Sequence, residues 1–165
     1  MRDLKQFMEL FRPLPGNRYI QVTTEIDATT EALSKLLEGV GGELRLALYY
    51  DAHAPEIAPE FAHAKVEKIA NFVHPFRALP REHDKVILKE IYAAHHKKET
   101  LLKTSYTTLA NTAEIVIMEK QGVLNLEELH EALLACEYRA PNTVDVLEGY
   151  DIVVAKKMHM WGNGL

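Results

Sequence analysis

The stretch Tyr19–Leu33, YIQVTTEIDATTEAL, carries the pattern on which the fold turns. A short alternating run, Arg18 to Val22, reads as a strand. A turn follows at Thr23, Thr24, Glu25, Ile26 and Asp27. A helical stripe then begins and runs through Leu33, Leu36, Leu37 and Val40, and Gly39, Gly41 and Gly42 stop it. Strand, turn and helix in this order form the first half of a βαβ unit. Where such a turn holds a nucleotide it is normally rich in glycine. This one contains none.

Working outward, the same alternation continues along the chain. Leu4, Phe7, Met8 and Phe11 keep helical spacing, so the first dozen residues read as an amphipathic helix that ends at RPLPG. Glu43–Tyr50 is the second strand and ends at Asp51. Residues 51–68 hold Pro55 and Pro59 and read as a loop with one short helix. Ile69–Val73 reads as the third strand, followed by the turn-rich HPFRALP. Asp84–Tyr92 is the fourth strand, a helix spans about Ala94–Leu109, and Ala113–Glu119 is the fifth and most apolar strand.

Asn125 and Glu128 form a capping pattern that opens a helix with Leu126, Leu129, Leu133 and Leu134 as its apolar face. Two β-rich runs, YRAPNTVDVL and YDIVVAKKMHMW, are joined by the short EG and read as an antiparallel hairpin. Alternating strands and helices imply right-handed crossovers and a mainly parallel sheet. The expectation is one α/β domain: a helix and entry turn over 1–17, then a three-layer, seven-stranded domain over 18–165.

Composition bounds the function. The chain has 165 residues, 47% apolar and 26% charged, with a net charge of -5. That balance argues against a dedicated nucleic-acid binder. Lys97-Lys98 and Lys156-Lys157 are the only basic pairs and read as solvated surface. One cysteine, Cys136, excludes an internal disulfide and fits a reducing compartment. No run approaches a membrane span, and the acidic residues among the first eleven exclude a signal peptide. The expected location is cytoplasmic.

This order of elements resembles the class I S-adenosylmethionine-dependent methyltransferases, a Rossmann-like family. HDKVILKEIYAAHHKKETLLKTSYTTLANTAEIVIMEK is similar to that family's fourth strand, helix and fifth strand. HPFRALPREHDKVIL is similar to its third-strand exit, with LP before the fourth strand. The family's cofactor motif is an acid followed by glycines at alternate positions. Laid on this chain, the acid falls on Gln21 and the glycines on Thr23, Glu25 and Asp27.

That pattern is unfavourable to the cofactor. Threonine resists the close approach and positive φ that glycine permits. Glu25 and Asp27 set two anions near the expected place of the cofactor carboxylate, at a cost of about 3–4 kcal/mol each before screening. Asp27 also stands where a helix N-cap belongs, so it takes donors an anion would use. If binding is retained, the resemblance assigns it to Thr23, Thr24, Asp27, Asp51 (ribose hydroxyls) and Phe76 (an apolar face for adenine). The acid that would meet the adenine amino group falls near Pro75 and is missing.

Glu90 and Glu119 lie at strand ends, where open α/β sheets place ligands. Glu90 and His95 are the only candidates for catalysis. His95 otherwise reads as an exposed residue at a helix start. His95 and His96 point about 100° apart on a helix, and His53, His63, His74 and His83 lack ligand spacing, so no metal is expected. Cys136 reads as a buried structural thiol. Two functions follow. The first is a methyltransferase-like binding or assembly module that has lost its cofactor, working as a homodimer or with a protein partner. The alternative is an active S-adenosylmethionine-dependent methyltransferase acting on a small molecule.

Overall fold

The computed structural model describes residues 3–50, 56–57 and 65–158. Seven strands form one sheet in the order β3-β2-β1-β4-β5-β7-β6. They are β1 (Arg18–Thr23), β2 (Glu43–Tyr49), β3 (Val66–Ile69), β4 (His83–Lys89), β5 (Leu109–Lys120), β6 (Tyr138–Val144) and β7 (Tyr150–Lys157). The helices are α1 (Lys5–Met8), α2 (Ala28–Glu38), α3 (Lys98–Thr108) and α4 (Leu126–Ala135). The first five strands are parallel. β7 runs antiparallel between β5 and β6, so the predicted hairpin is present.

Alternation along the central strands builds a core on each face. Val86, Leu88, Ile115 and Ile117 pack with Leu101, Leu102, Leu129 and Leu133 of α3 and α4. Ile87, Val116 and Met118 point the other way and pack with Leu33 and Leu37 of α2 and with Phe7 and Phe11. Helices thus cover both faces of the sheet. Gly42 is required where α2 returns to β2, because a Cβ there would stand 2.4 Å from the Asn17 carbonyl oxygen.

Several element bounds differ from the sequence reading. The third strand is Val66–Ile69 rather than Ile69–Val73, because the Asn71 side chain accepts from Val73 N–H and turns the chain. The N-terminal helix is only Lys5–Met8, and beyond it the backbone tightens into three-residue bonds from Leu10 N–H to Phe7 and from Phe11 N–H to Met8. α3 begins at Lys98 rather than Ala94, since 91–97 form turns. Leu134 is 49% exposed and not on the inner face of α4, lying 100° round the helix from Leu133. The short helix expected within 51–68 falls mostly outside the described residues.

Candidate site at the carboxyl end of the sheet

β1 and β4 are neighbours, and their exits meet the start of α2. Asp27 is the N-cap of α2, and its Oδ1 accepts from Thr29 N–H at 3.0 Å and Thr30 N–H at 3.3 Å. Thr30 Oγ1 reciprocates toward Asp27 N–H at 3.3 Å, completing a capping box. From β1, Gln21 reaches up into the same turn. Its Nε2 donates to Thr29 Oγ1 at 3.0 Å, and its Oε1 accepts from Thr30 Oγ1 at 2.6 Å. Gln21 and Thr23 are fully buried, and Thr23 Oγ1 donates to the Glu25 carbonyl at 3.3 Å. Thr24 and Glu25 are exposed.

From β4 comes Lys89, a side chain the sequence reading did not single out. It is 3% exposed, and its Nζ lies 2.8 Å from Asp27 Oδ2 and 2.8 Å from Glu90 Oε2. Its ammonium also stands 5.4 Å from the centre of the Tyr150 ring. Tyr150 Oη donates to Glu90 Oε2 at 3.0 Å, and Lys120 Nζ stands 3.6 Å from Glu90 Oε1. Glu90 occupies a left-handed conformation, φ 58°, which strains a residue with a Cβ. The available signal was a lysine closing the apolar run VIL, followed by an acid.

The charges hold one another. Burial alone would raise the Asp27 carboxyl, but the Lys89 ammonium and the Thr29 and Thr30 donors keep it below its usual value. Burial would lower Lys89, yet Asp27 and Glu90 carry it above the ordinary lysine range. Glu90 is likewise lowered against burial by Lys89 and Tyr150. Glu119, nearly buried beside it, accepts from Ala93 N–H at 3.0 Å. Its carboxyl is raised by burial and the nearby Glu90 charge.

The other sequence candidates lie elsewhere. His95 is 0% exposed and precedes α3, so it is not an exposed helix-start residue. Its Nε2 donates to the His74 carbonyl at 3.1 Å and its Nδ1 accepts from Lys97 N–H at 2.9 Å. Burial, with Lys98 and His96 nearby, lowers its pKa and keeps the ring neutral. Tyr49 Oη donates to the same His74 carbonyl, and Phe72 stacks on Tyr49 at 5.3 Å. His95 therefore latches the exits of β2 and β4 together. Phe76 is 1% exposed within the core. Asp51 lies outside the described residues. Among the described residues no three His, Cys, Asp or Glu side chains group as metal ligands. Cys136 is a buried free thiol at the end of α4, raised by burial.

No protein-family model matches the sequence, and no curated protein matches it. Solved structures do. A SAM-dependent methyltransferase from Aquifex aeolicus aligns at a TM-score of 0.70 and 15% identity, over 95% of this chain and 90% of that one. Haemonchus contortus phosphoethanolamine N-methyltransferase 2, solved with S-adenosylhomocysteine, aligns at 0.69 and 11% identity, over 94% of this chain and 52% of that one. A complex of the Haloferax volcanii Trm112 methyltransferase activator with a methyltransferase aligns at 0.63 and 11% identity, over 94% and 88%. The chain spans about half the length of several of these structures, 51% of one carbon methyltransferase and 52% of the Haemonchus enzyme. The chain has the class I S-adenosylmethionine-dependent methyltransferase fold. Among the described residues no helix is long and apolar enough to cross a membrane.

Proposed function

We propose that this chain is a methyltransferase-fold protein that no longer binds S-adenosylmethionine and works as a binding or assembly module in the cytoplasm. The observation that carries this reading is the buried Lys89 ammonium, held between Asp27 and Glu90 at the exits of β1 and β4. In this fold class ligands settle where neighbouring strands exit toward opposite faces. Here α2 crosses one face and α3 the other, and an ion network bridges the two exits.

Three physical features oppose the cofactor. The first-turn N–H groups of Thr29 and Thr30 are spent on Asp27, so they are not open to a ligand carboxylate. The buried Thr23 side chain fills space that a glycine would leave to the ligand. Any group displacing Lys89 from Asp27 must break a pair whose lysine is buried, and an unpaired buried charge is expensive.

The alternative is an active methyltransferase with an atypical loop, acting on a small molecule. The neighbour solved with S-adenosylhomocysteine favours it. Thr23, Thr24, Asp27, Asp51 and Phe76 would then serve the cofactor, and Glu90 the chemistry. The Haloferax complex with an activator keeps a protein partner open under either reading.

Calorimetric titration with S-adenosylmethionine and S-adenosylhomocysteine separates the two. The module reading expects dissociation constants in the millimolar range or weaker, against the roughly 8 kcal/mol of a micromolar site. A constant below about 10 μM for the unaltered protein establishes the transferase instead.

A further inference from the structure

The crossover from β3 to β4, residues 70–82, contains no helix. It passes over the face that α3 and α4 also cover, and it leaves a groove of about 430 Å³ against α3. Arg77, Ala78, Thr100, Lys103, Thr104 and Thr107 line that groove. Arg81 adjoins it, its N–H bonded to the Thr107 carbonyl at 2.8 Å. Arg77 and Arg81 are exposed, as are Lys65 and Lys68 on and beside β3. Among the described residues none of these four side chains is in an ion pair, although the Glu67 carboxylate stands beside Arg77 and accepts from its N–H at 2.8 Å; Lys103 is paired with Glu99. Leu79 beside them is 55% exposed. A basic groove with an apolar rim is unexpected in a chain of net charge -5.

The opposite character lies at the far end of the same layer. α4 exposes Glu127, Glu128 and Glu131, with no basic residue in its last turn. Glu127, Glu131 and Leu134 share one stripe, spaced four and then three residues apart. None of the three acids is ion-paired among the described residues, and Leu134 is half exposed.

We infer that this face joins two copies of the chain, the acidic α4 stripe of each seated in the basic groove of the other. The layer runs crossover, α3, α4, following the sheet order. A two-fold axis lying in the interface along α3 exchanges its two ends. Each groove then meets a stripe, so one operation satisfies both and the assembly closes. Leu134 meets the groove rim at Leu79. This deepens the assembly part of the reading above and does not need the cofactor site to be either open or closed.

Sedimentation velocity tests it on the intact chain. The unaltered protein is expected to dimerise, with dimerisation weakened about tenfold or more between about 0.05 M and 0.5 M salt, as screening shortens. Arg77→Glu with Lys103→Glu is expected to be monomeric, and so is Glu127→Lys with Glu131→Lys. All four positions are on the surface, and unchanged thermal melting confirms that both variants fold. An equimolar mixture of the two variants restores the dimer, because each groove then finds a stripe of opposite charge. A monomeric parent at low salt, a dimeric single variant, or a mixture that stays monomeric overturns the inference. So does a monomeric parent that binds a polyglutamate peptide, which would assign the groove to a different acidic partner. A dimer that also binds S-adenosylmethionine overturns the cofactor-free reading and leaves this surface standing.

Discussion

At the scale of single residues, the buried polar side chains among the described residues divide into those that are answered and one, His83, that is not. Lys89 and Gln21 are buried and every nearby donor or acceptor is matched. His83 at the start of β4 is fully buried, with neither ring nitrogen partnered. Burial first, then Arg45 and Arg18, lower its pKa to about 4, against the opposing pull of Glu82 and Asp84. The unfolded chain therefore binds a proton below about pH 6.5 that the folded chain refuses until about pH 4. Stability is present above that window and lost as the pH falls through it. The expected loss is about 3 kcal/mol at the acid end. His83→Leu is expected to flatten most of this slope in urea unfolding at pH 7 and pH 5, leaving the smaller contribution of His95 in the same direction. A slope unchanged by the substitution would remove His83 from the account.

At the scale of elements, α2, α3 and α4 are each held at one end by a side chain. Lys157 of β7 reaches the last turn of α3 and donates to the Tyr106 and Leu109 carbonyls, both at 2.8 Å. Asn125 caps α4 through Glu128 N–H, as its spacing predicts. Asp27 caps α2 and also answers Lys89. Loss of a cap alone costs about 1 kcal/mol. Asp27→Ala also leaves Lys89 with only Glu90, so the expected loss is about 2 kcal/mol at pH 7. Because the Asp27 pKa is depressed in the folded state, its contribution is present above about pH 4 and fades as the pH falls below that. The gap between parent and variant in urea midpoints should therefore shrink at pH 3.5. An equal gap at both pH values would mean that Asp27 acts without its charge.

At the scale of the whole molecule, stability rests on β4 and β5, which are covered on both faces. Val86, Ile87, Leu88, Val116 and Ile117 are all buried, as the apolar runs predict. Val116 lies between β4 and β7 in the sheet and faces the α2 side. Val116→Asp places an unpaired charge there at several kcal/mol, close to the whole margin of a domain this size. The expected outcome is loss of the cooperative thermal transition by circular dichroism. An unchanged melting temperature would put the core elsewhere.

The fold was legible wherever a local period repeats. Arg18–Val22, Asp84–Tyr92 and Ala113–Glu119 read as strands, the stripe from Leu33 to Val40 as a helix, and the EG joint as a hairpin, since each depends on neighbours in the chain; the fourth strand stops at Lys89, where Glu90 turns to a φ of 58°. The bounds of β3 and α3 were not, because an Asn71 turn and the His95 latch override propensity through contacts with Phe72, His74 and Tyr49. At the candidate site the sequence by itself determined that glycine is missing and that Asp27 is an N-cap, both matters of residue type and spacing. Only the tertiary structure decided that Lys89 would answer Asp27, and that Tyr150 would reach Glu90. Those partners come from different elements: the parallel register of β1 and β4 sets Lys89 beside the α2 cap Asp27, and the antiparallel pairing of β7 with β5 brings Tyr150 back to Glu90 at the same edge. An ion pair across strands leaves no period in the chain, so it appears only when the sheet is assembled.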